Sequence, residues 1–487
     1  MDAKHKALKG SPGQSLLDRV LHSMVCGVIL LMCFAVLAHR FMEWRTAALV
    51  SSICFVLFFL IGQRMIGWRE RGLLAAGLLL TGIAIVNHDD AAALIETSLQ
   101  RAAFLTAFMV LLSLLRVGAG QSFSVLALGE FLTRQPPGRR YIAIHSGGHV
   151  MGVLLNFGAL SLLGPLIKRG VDVTRAAEPS AAAVREERQL SALVRGFSWM
   201  IAWSPTTVTQ ALVPIVVVGA DPMALAGMGI IVAVALFPVG WINDRIVGGR
   251  ARRRLEREGV AITSATVVFP KAAAIRFGTV CLALIVLTTA VVAATGVIVI
   301  IALMLVAPLV SVGWLWCQAQ GSASIGGRPF RARMAELVGV FLPRSMPEAL
   351  TLATGGYCGL MLAGILDPAS TAEALRLHKL PPEILYLLVV AIVPLLSNLA
   401  LPPILVATFF GSLLISLPDL MLDPTLLGFC FVMGWCLNLT GSPFGASALV
   451  LGRATGIRGT ILTWKWNGLF TLASYAVIVC AVFLFGA

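Results

Sequence analysis

Two short stretches of this chain set proline among hydroxyl side chains inside otherwise apolar runs. One is Ser204-Pro205-Thr206-Thr207, with Thr209 just beyond; the other is Thr440-Gly441-Ser442-Pro443, with Ser447 following. Proline removes a backbone donor and clashes with the preceding turn, so a helix passing through either stretch breaks or kinks there. A half-helix starting after such a break aims free amides and its positive dipole end into the gap, which suits an anion. One such stretch reads equally well as a plain proline kink. Two, with Ser and Pro in the same order, read as two halves of one site.

Two further stretches carry Asn where an apolar run is interrupted. LLNFGALSLLGPL places Asn156 and Gly158 within 141–167, and LLSNLALPPILVA places Ser397 and Asn398 within 383–416. Helical hydrogen bonding lapses at such points, and lipid offers no partner to the freed carbonyls and amides. Asn and Ser side chains either cap these groups or join them in holding an ion or a substrate, and the duplication favours the second reading. These residues and the two proline stretches form the candidate substrate- and ion-binding set.

Catalytic chemistry has little to work with. Neither the interrupted runs nor the proline stretches contain a carboxylate beyond Glu383 at one edge. Paired-carboxylate acid–base catalysis therefore has no candidates, and the chain is not read as an enzyme. The titratable pair is His145 and His149, one helical turn apart. Packing and hydrogen bonding account for it most simply; proton coupling or substrate contact is the functional alternative. As a zinc pair, HSGGH lacks the Glu of HExxH and a third ligand, so no metal site is assigned. A neutral site of oxygen dipoles leans towards sodium over protons as the coupling ion, and no cofactor is implied. The nine cysteines form no CxxC pair and lie in apolar stretches, as packing residues do. Trp199, Trp203 and Trp435, before the breaks, read as packing or interface residues. Trp464 and Trp466, around Lys465, read as an interfacial belt.

Membrane helices must position these residues. The chain is 58% apolar and 12% charged over 487 residues, against roughly a quarter charged in ordinary globular proteins. Only a bilayer accepts so much apolar surface. The net charge of +14 lies in short segments between apolar runs, which argues against nucleic acid as a partner and fits an inner-membrane protein. Runs long enough to cross occur near 22–39, 46–63, 73–88, 100–118, 196–218, 223–243, 276–295, 297–317, 349–366, 426–450 and 465–485. The first resembles a signal peptide ending at Ala38, but as a true span it puts every later loop on the expected side.

Sidedness is consistent when 141–167 and 383–416 are re-entrant hairpins and the N-terminus is cytoplasmic. The loops with Arg64, Arg69 and Arg71, with Arg134 to Arg140, Lys168 to Arg195, Arg245 to Arg276 and Arg328 to Arg344 then all face the cytoplasm. Most of the 37 Lys and Arg fall there, while Asp89, Asp90, Asp221, Asp367, Asp419, Asp423 and the C-terminus fall outside. The landmarks also recur in order: Pro136-Pro137, Asn156 and Ser204-Pro205, then Pro381-Pro382, Asn398 and Ser442-Pro443. Interfacial helices are expected near 121–134 and 370–380, before the hairpins. The expected fold is an all-α polytopic membrane protein of about eleven transmembrane helices plus two re-entrant helical hairpins in two inverted repeats. Its parts are a cytoplasmic tail (1–21), a first repeat (22–245), a basic linker (246–275) beside anionic headgroups and a second repeat (276–487).

The segments LLNFGALSLLGPLIKRG, SWMIAWSPTTVTQALV, LLSNLALPPILVATFFG and NLTGSPFGASALV, in this order, resemble the ion-transporter superfamily. That group includes divalent-anion:sodium symporters, citrate and arsenite permeases, sodium/proton antiporters and the large subunits of tripartite carriers. The likeness is architectural over most of the chain. The symporters' Ser-Asn-Thr triplets stand here as Leu155-Asn156-Phe157 and Ser397-Asn398-Leu399, so the asparagines and one serine carry over. The resemblance implies a scaffold of outer spans, a transport domain of hairpins and broken helices moving as an elevator, and a homodimer. It implies a secondary transporter moving a small, organic anion across the bacterial inner membrane, coupled to sodium or protons. Three other readings stand beside it. One is a proton-driven exporter or antiporter dependent on His145 or His149. The others are the membrane subunit of a multi-component carrier and a membrane enzyme acting on lipid-linked substrates.

Overall fold

Backbone that crosses lipid must close its hydrogen bonds within itself, and every regular element among the described residues is a helix. The computed structural model describes residues 16–62, 67–258, 268–320 and 329–486. Most of the expected N-terminal tail (1–15), Arg64, Arg328 and the middle of the linker (259–267) lie outside the described residues.

The first half runs α1 (Leu16–Met42), α2 (Arg45–Gly62), α3 (Trp68–Asn87), α4 (Ala91–Gly120) and the short α5 (Phe123–Thr133). A helical hairpin follows, α6 (Pro137–Leu155) and α7 (Phe157–Ala177), turning at Asn156. Next come the two parts of one broken span, α8 (Pro179–Met200) and α9 (Val208–Val216), and then α10 (Pro222–Arg257). The second half opens with α11 (Lys271–Thr295), α12 (Val299–Gln320) and α13 (Phe330–Glu336). A π-helical turn at Leu337–Phe341 and α14 (Leu342–Arg344) lead into α15 (Met346–Ile365) and the short α16 (Pro368–Ala374). The second hairpin is α17 (Pro382–Asn398) and α18 (Pro403–Ile415), the second broken span α19 (Pro424–Gly441) and α20 (Ala446–Thr455), and α21 (Trp466–Gly486) closes the chain. Ten segments among the described residues are long and apolar enough to cross a membrane. The eleventh span expected from the sequence, 196–218, falls on α8–α9, whose first half is rich in Arg and Glu, and is not among the ten.

The order long span, short helix, hairpin, broken span, closing span occurs twice, in α4–α10 and in α15–α21. Connectivity inverts the second copy. Arg116 in the last turns of α4 meets Glu348 in the first turn of α15 at 3.3 Å, so the two spans run antiparallel and the hairpins that follow them enter from opposite ends. At the far end the Asp221 amide donates to Thr425 Oγ1 at 3.1 Å, tying the start of α10 to the start of α19.

Three basic stretches expected as loops are largely helical. The arms of the first hairpin outrun 141–167, and from Lys168 to Arg195 only Glu178 leaves the helix. Lys168 and Arg175 of α7 both pair with Glu186 of α8, at 3.0 and 2.6 Å. Arg195 is buried within the bundle, donating to Asn467 Oδ1 (2.8 Å) and Asn243 Oδ1 (3.0 Å) and lying over the Phe470 ring. From Phe330 to Arg344 the chain is again helical, and Arg333 is buried against Gln121 and Gln318. The linker begins as helix too, because α10 continues through the Arg run to Arg257, with i,i+4 pairs Arg252–Glu256 and Arg254–Glu258 along it.

Lipid gives helices no hydrophobic reason to associate, so membrane helices join where small residues let backbones meet. The first hairpin joins the broken span in this way. A Cβ at Gly196 would fall 2.1 Å from His145 O, and one at Gly148 would fall 2.9 Å from Leu193 Cδ1. A carbonyl oxygen cannot swing aside as a side-chain tip can. Gly196→Ala is therefore expected to lower the melting temperature in detergent, at a cost of about 1–3 kcal/mol for overpacking. Gly227→Ala, on α10 with nothing within 4 Å of its added methyl, should leave the melting temperature unchanged.

Candidate functional site

The two breaks are built alike. Beyond α8, Ser204 N donates to Met200 O (3.1 Å) and Thr207 N to Ser204 O (3.1 Å); beyond α19, Ser442 N donates to Asn438 O (2.9 Å) and Gly445 N to Ser442 O (3.0 Å). Five residues after each serine a hydroxyl reaches back across the gap. Thr209 Oγ1 donates to Ile201 O (3.0 Å), and Ser447 Oγ donates to Leu439 O. In the first break Thr207 Oγ1 donates to Ser204 O (2.7 Å), and Thr206 Oγ1 donates to Val153 O of the hairpin (2.6 Å). With the Thr206 proton so placed, the Ser204 hydroxyl is the donor in its 2.8 Å contact with Thr206 Oγ1. Pro205 and Pro443 thus free carbonyls that these hydroxyls occupy. The starts of α9 and α20 carry no side-chain cap, so no capping side chain accepts from their first-turn amides.

The hairpin tips differ from one another. Asn156 takes φ 50° and ψ −133°, a positive-φ conformation outside the left-handed helical region and uncommon for any residue but glycine. Its Nδ2 reaches Thr206 O at 3.5 Å, and its Oδ1 is buried without a hydrogen-bond partner. Gly158 supplies clearance, since a Cβ there would lie 2.6 Å from Arg116 Cγ. The second tip turns through Ala400 at φ 64°. Asn398 is held on both sides: Nδ2 donates to Pro394 O (2.7 Å), and Oδ1 accepts from Trp464 Nε1 (3.1 Å). Trp464, expected as a plain belt residue, is therefore also a partner of the hairpin. Ser442 Oγ donates to Ser397 O (3.0 Å), while Ser397 Oγ is buried without a partner. Thr440 meets Thr471 Oγ1 at 2.9 Å, and Gly441 packs on the same threonine.

A cavity of about 620 Å³ lies between the broken spans, the first hairpin tip and helices α4 and α15. Of the candidate set, Asn156, Thr207 and Thr209 line it; Asn398 and the remaining candidates do not. Asn438 lines it as well, nearly fully buried and with Oδ1 unpartnered. Trp435 and Phe157 also face it, so Trp435 is more than a packing residue.

Four charged side chains that sequence reasoning missed complete the lining: Glu70, Arg116, Glu348 and Arg453. The expectation of a carboxylate-free site is corrected by two of them, which arrive from α3 and α15 and not from the interrupted stretches. Three of the four stand in the first or last turn of a helix, where charge reads as headgroup contact. Arg116 alone gave a local signal, standing inside an apolar run. The motif NLTGSP contains Asn438, but nothing in its spacing separates it from a packing residue.

His145 and His149 lie outside the cavity lining, in the seam between α6 and α8. Trp203 Nε1 donates to His149 Nε2 (2.9 Å), so Nδ1 carries the proton and donates to Gly196 O (3.0 Å). His145 Nδ1 meets the Tyr141 hydroxyl at 3.2 Å.

No family model and no curated protein matches the chain. Its fold is similar to the crystal structure of the Alcanivorax borkumensis YdaH transporter, described as having an unusual topology. The two share 17% identity with a TM-score of 0.52, over 86% of this chain and 98% of that one. At that identity the likeness is one of fold.

The hydrogen bonding of His149 predicts a structural response to its removal. His149→Ala leaves the partly buried Trp203 Nε1–H without its acceptor and removes a second bond to Gly196 O, a loss of about 1–3 kcal/mol. The melting temperature in detergent should fall alike at about pH 6 and about pH 8, on either side of the ordinary histidine range. A change seen at one pH only would assign His149 a titrating role instead.

Proposed function

We propose that this chain is a secondary transporter of a small organic anion, with the architecture of the ion-transporter superfamily. The observation that carries this reading is the convergence of two uncapped helix starts on one cavity, through Thr207, Val208 and Thr209 at α9 and Ala446 at α20. First-turn amides and helix dipoles directed at one volume favour negative charge there. Arg116 and Arg453 place cationic groups in its lining, balanced there by Glu70 and Glu348. The cavity, about 620 Å³, falls within the roughly 300–1,000 Å³ typical of organic ligands. The similarity of fold to a transporter supports transport as the class.

Sodium is the favoured coupling ion. The unpartnered Asn156 Oδ1, Ser397 Oγ and Asn438 Oδ1 are the kind of oxygen a hard cation takes, and both ring nitrogens of His149 are already engaged. By the positive-inside rule, the end bearing Arg116 and Arg453 faces the cytoplasm of a bacterial inner membrane. The cavity then opens inward and the C-terminus lies outside. Alternating access would move α6–α9 and α17–α20 against α1–α4, α11, α12 and α15, in an elevator fashion, within a homodimer joined through the stationary helices.

Thermal stabilisation of the purified protein against organic and inorganic anions, as sodium and as potassium salts, tests the reading. An organic carboxylate is expected to raise the melting temperature in sodium, by about 2.7 kcal/mol of stability at a hundredfold excess over Kd. The shift should shrink in potassium and disappear in Asn156→Ala and Asn438→Ala. Activity in liposomes driven by a pH gradient and indifferent to sodium would transfer the assignment to the proton-driven exporter.

A further inference from the structure

We infer that Arg116 is a specificity-determining residue that exchanges partners: Glu348 is its resting counter-ion, and a carboxylate group of the transported anion takes its place. The inference rests on the anion reading and names a residue that reading did not require.

Three observations carry it. Arg116 belongs to α4, yet it lines the cavity opposite the broken helices, and Glu348 lines it too. Its stem passes the first hairpin tip where Gly158 leaves room, and Arg116 and Asn156 line the same cavity. And the ion pair is loose. Among the described residues the Arg116 guanidinium has one contact, a single nitrogen at 3.3 Å from Glu348 Oε2, with the two side chains 30% and 36% exposed.

The chain makes much tighter pairs elsewhere. Arg188 grips Asp244 with two nitrogens, at 2.8 and 2.6 Å, and Arg175 meets Glu186 at 2.6 Å. Charge-assisted hydrogen bonds settle near 2.7–2.9 Å, and arginine prefers to bind a carboxylate through two parallel N–H donors. The Arg116–Glu348 contact satisfies neither preference, and among the described residues no other group engages the remaining Arg116 donors. A carboxylate in the cavity can take the guanidinium side-on with two hydrogen bonds. Glu348, already over a third exposed, is then released to water. Glu348 therefore acts as an internal competitor that a substrate carboxylate displaces and a neutral analogue does not.

The test measures apparent dissociation constants by thermal shift in the full-length protein. The probes are sodium acetate, succinate, citrate and benzoate, with phosphate and sulfate as oxyanions lacking a carboxylate. Ligand-free melting temperatures report whether each variant folds. For a carboxylate that stabilises the wild-type protein, Arg116→Gln should weaken binding roughly tenfold or more, the effect of losing hydrogen bonds to a charged group. Arg116→Lys, which keeps the charge and loses the fork, should recover only part of it. Glu348→Gln should tighten binding, and that gain should vanish in the double variant Arg116→Gln/Glu348→Gln. A probe that binds wild type and Arg116→Gln equally overturns the inference and leaves the anion reading standing. Equal weakening by Arg116→Gln and Glu348→Gln also overturns it, since the pair would then be structural. If no probe binds the wild-type protein, the anion reading itself fails and takes the inference with it.

Discussion

A helix interrupted inside a bilayer exposes amides and carbonyls that lipid cannot pair, and this constraint organises the centre of the molecule. At each break the freed carbonyls are occupied from within the same span, by Thr209 on Ile201 O and by Ser447 on Leu439 O. In the first break Gln210 adds a further bond, to Ala202 O at 2.6 Å. Hydroxyl and amide donors therefore deal with the carbonyl side of the problem. Nothing on the following half-helices caps the amide side, and the amide side is where the cavity lies. The polarity of the cavity is thus a consequence of how the breaks are held open.

The same constraint explains why the two halves, alike at their breaks, differ at their hairpin tips. A tip also frees backbone groups, but it can be closed by whatever packs on it. Asn398 is closed by Trp464 and by its own helix, and the second hairpin meets the cavity through the apolar Pro402, Pro403 and Ile404 instead. Asn156 keeps one oxygen without a partner beside the cavity. The paired landmarks consequently give one asymmetric site instead of two equivalent ones. A further polar residue, Asn438, comes from the end of α19, and the matching position at the end of α8 is Met200.

Much of this was legible in the sequence because the signals are local. Pro205, Pro443, Asn156 and Asn398 each mark an irregularity within a few residues of themselves, and the positions of both hairpins and both breaks follow from them. Hydropathy misled where helices are polar. The run from Lys168 to Arg195 reads as loop by composition, yet intrahelical bonding and the shared Glu186 pairs keep it helical. Of the charged half of the cavity only Arg116 left a local signal. Glu70, Glu348 and Arg453 stand in terminal turns, where many charges stand. Whether such a charge meets headgroups or a cavity depends on how α3, α15 and α20 are packed, and packing across hundreds of residues leaves no mark in local spacing. Only the inference from Trp464 could have been sharpened, since a tryptophan beside a hairpin has a donor to place.

The packing also divides in a way that bears on motion. Within the hairpin and broken-span group, backbones interlock: Gly196 sits against His145 O, and a Cβ at Gly434 would lie 2.9 Å from Val390 O. Such contacts fix register and make the group a unit. Against the other group the contact is close as well. Gly355 and Gly359 of α15 let α18 approach, with a Cβ at Gly355 falling 2.6 Å from Ile404 Cγ2 and one at Gly359 falling 2.9 Å from Leu405 O. Arg116 stands on the same border, held to α15 by one long contact and to the hairpin by the clearance at Gly158. Under the proposed elevator motion this is the surface that must slide, so the glycine contacts of α15 with α18 must re-form in a new register while the loosely held ion pair opens.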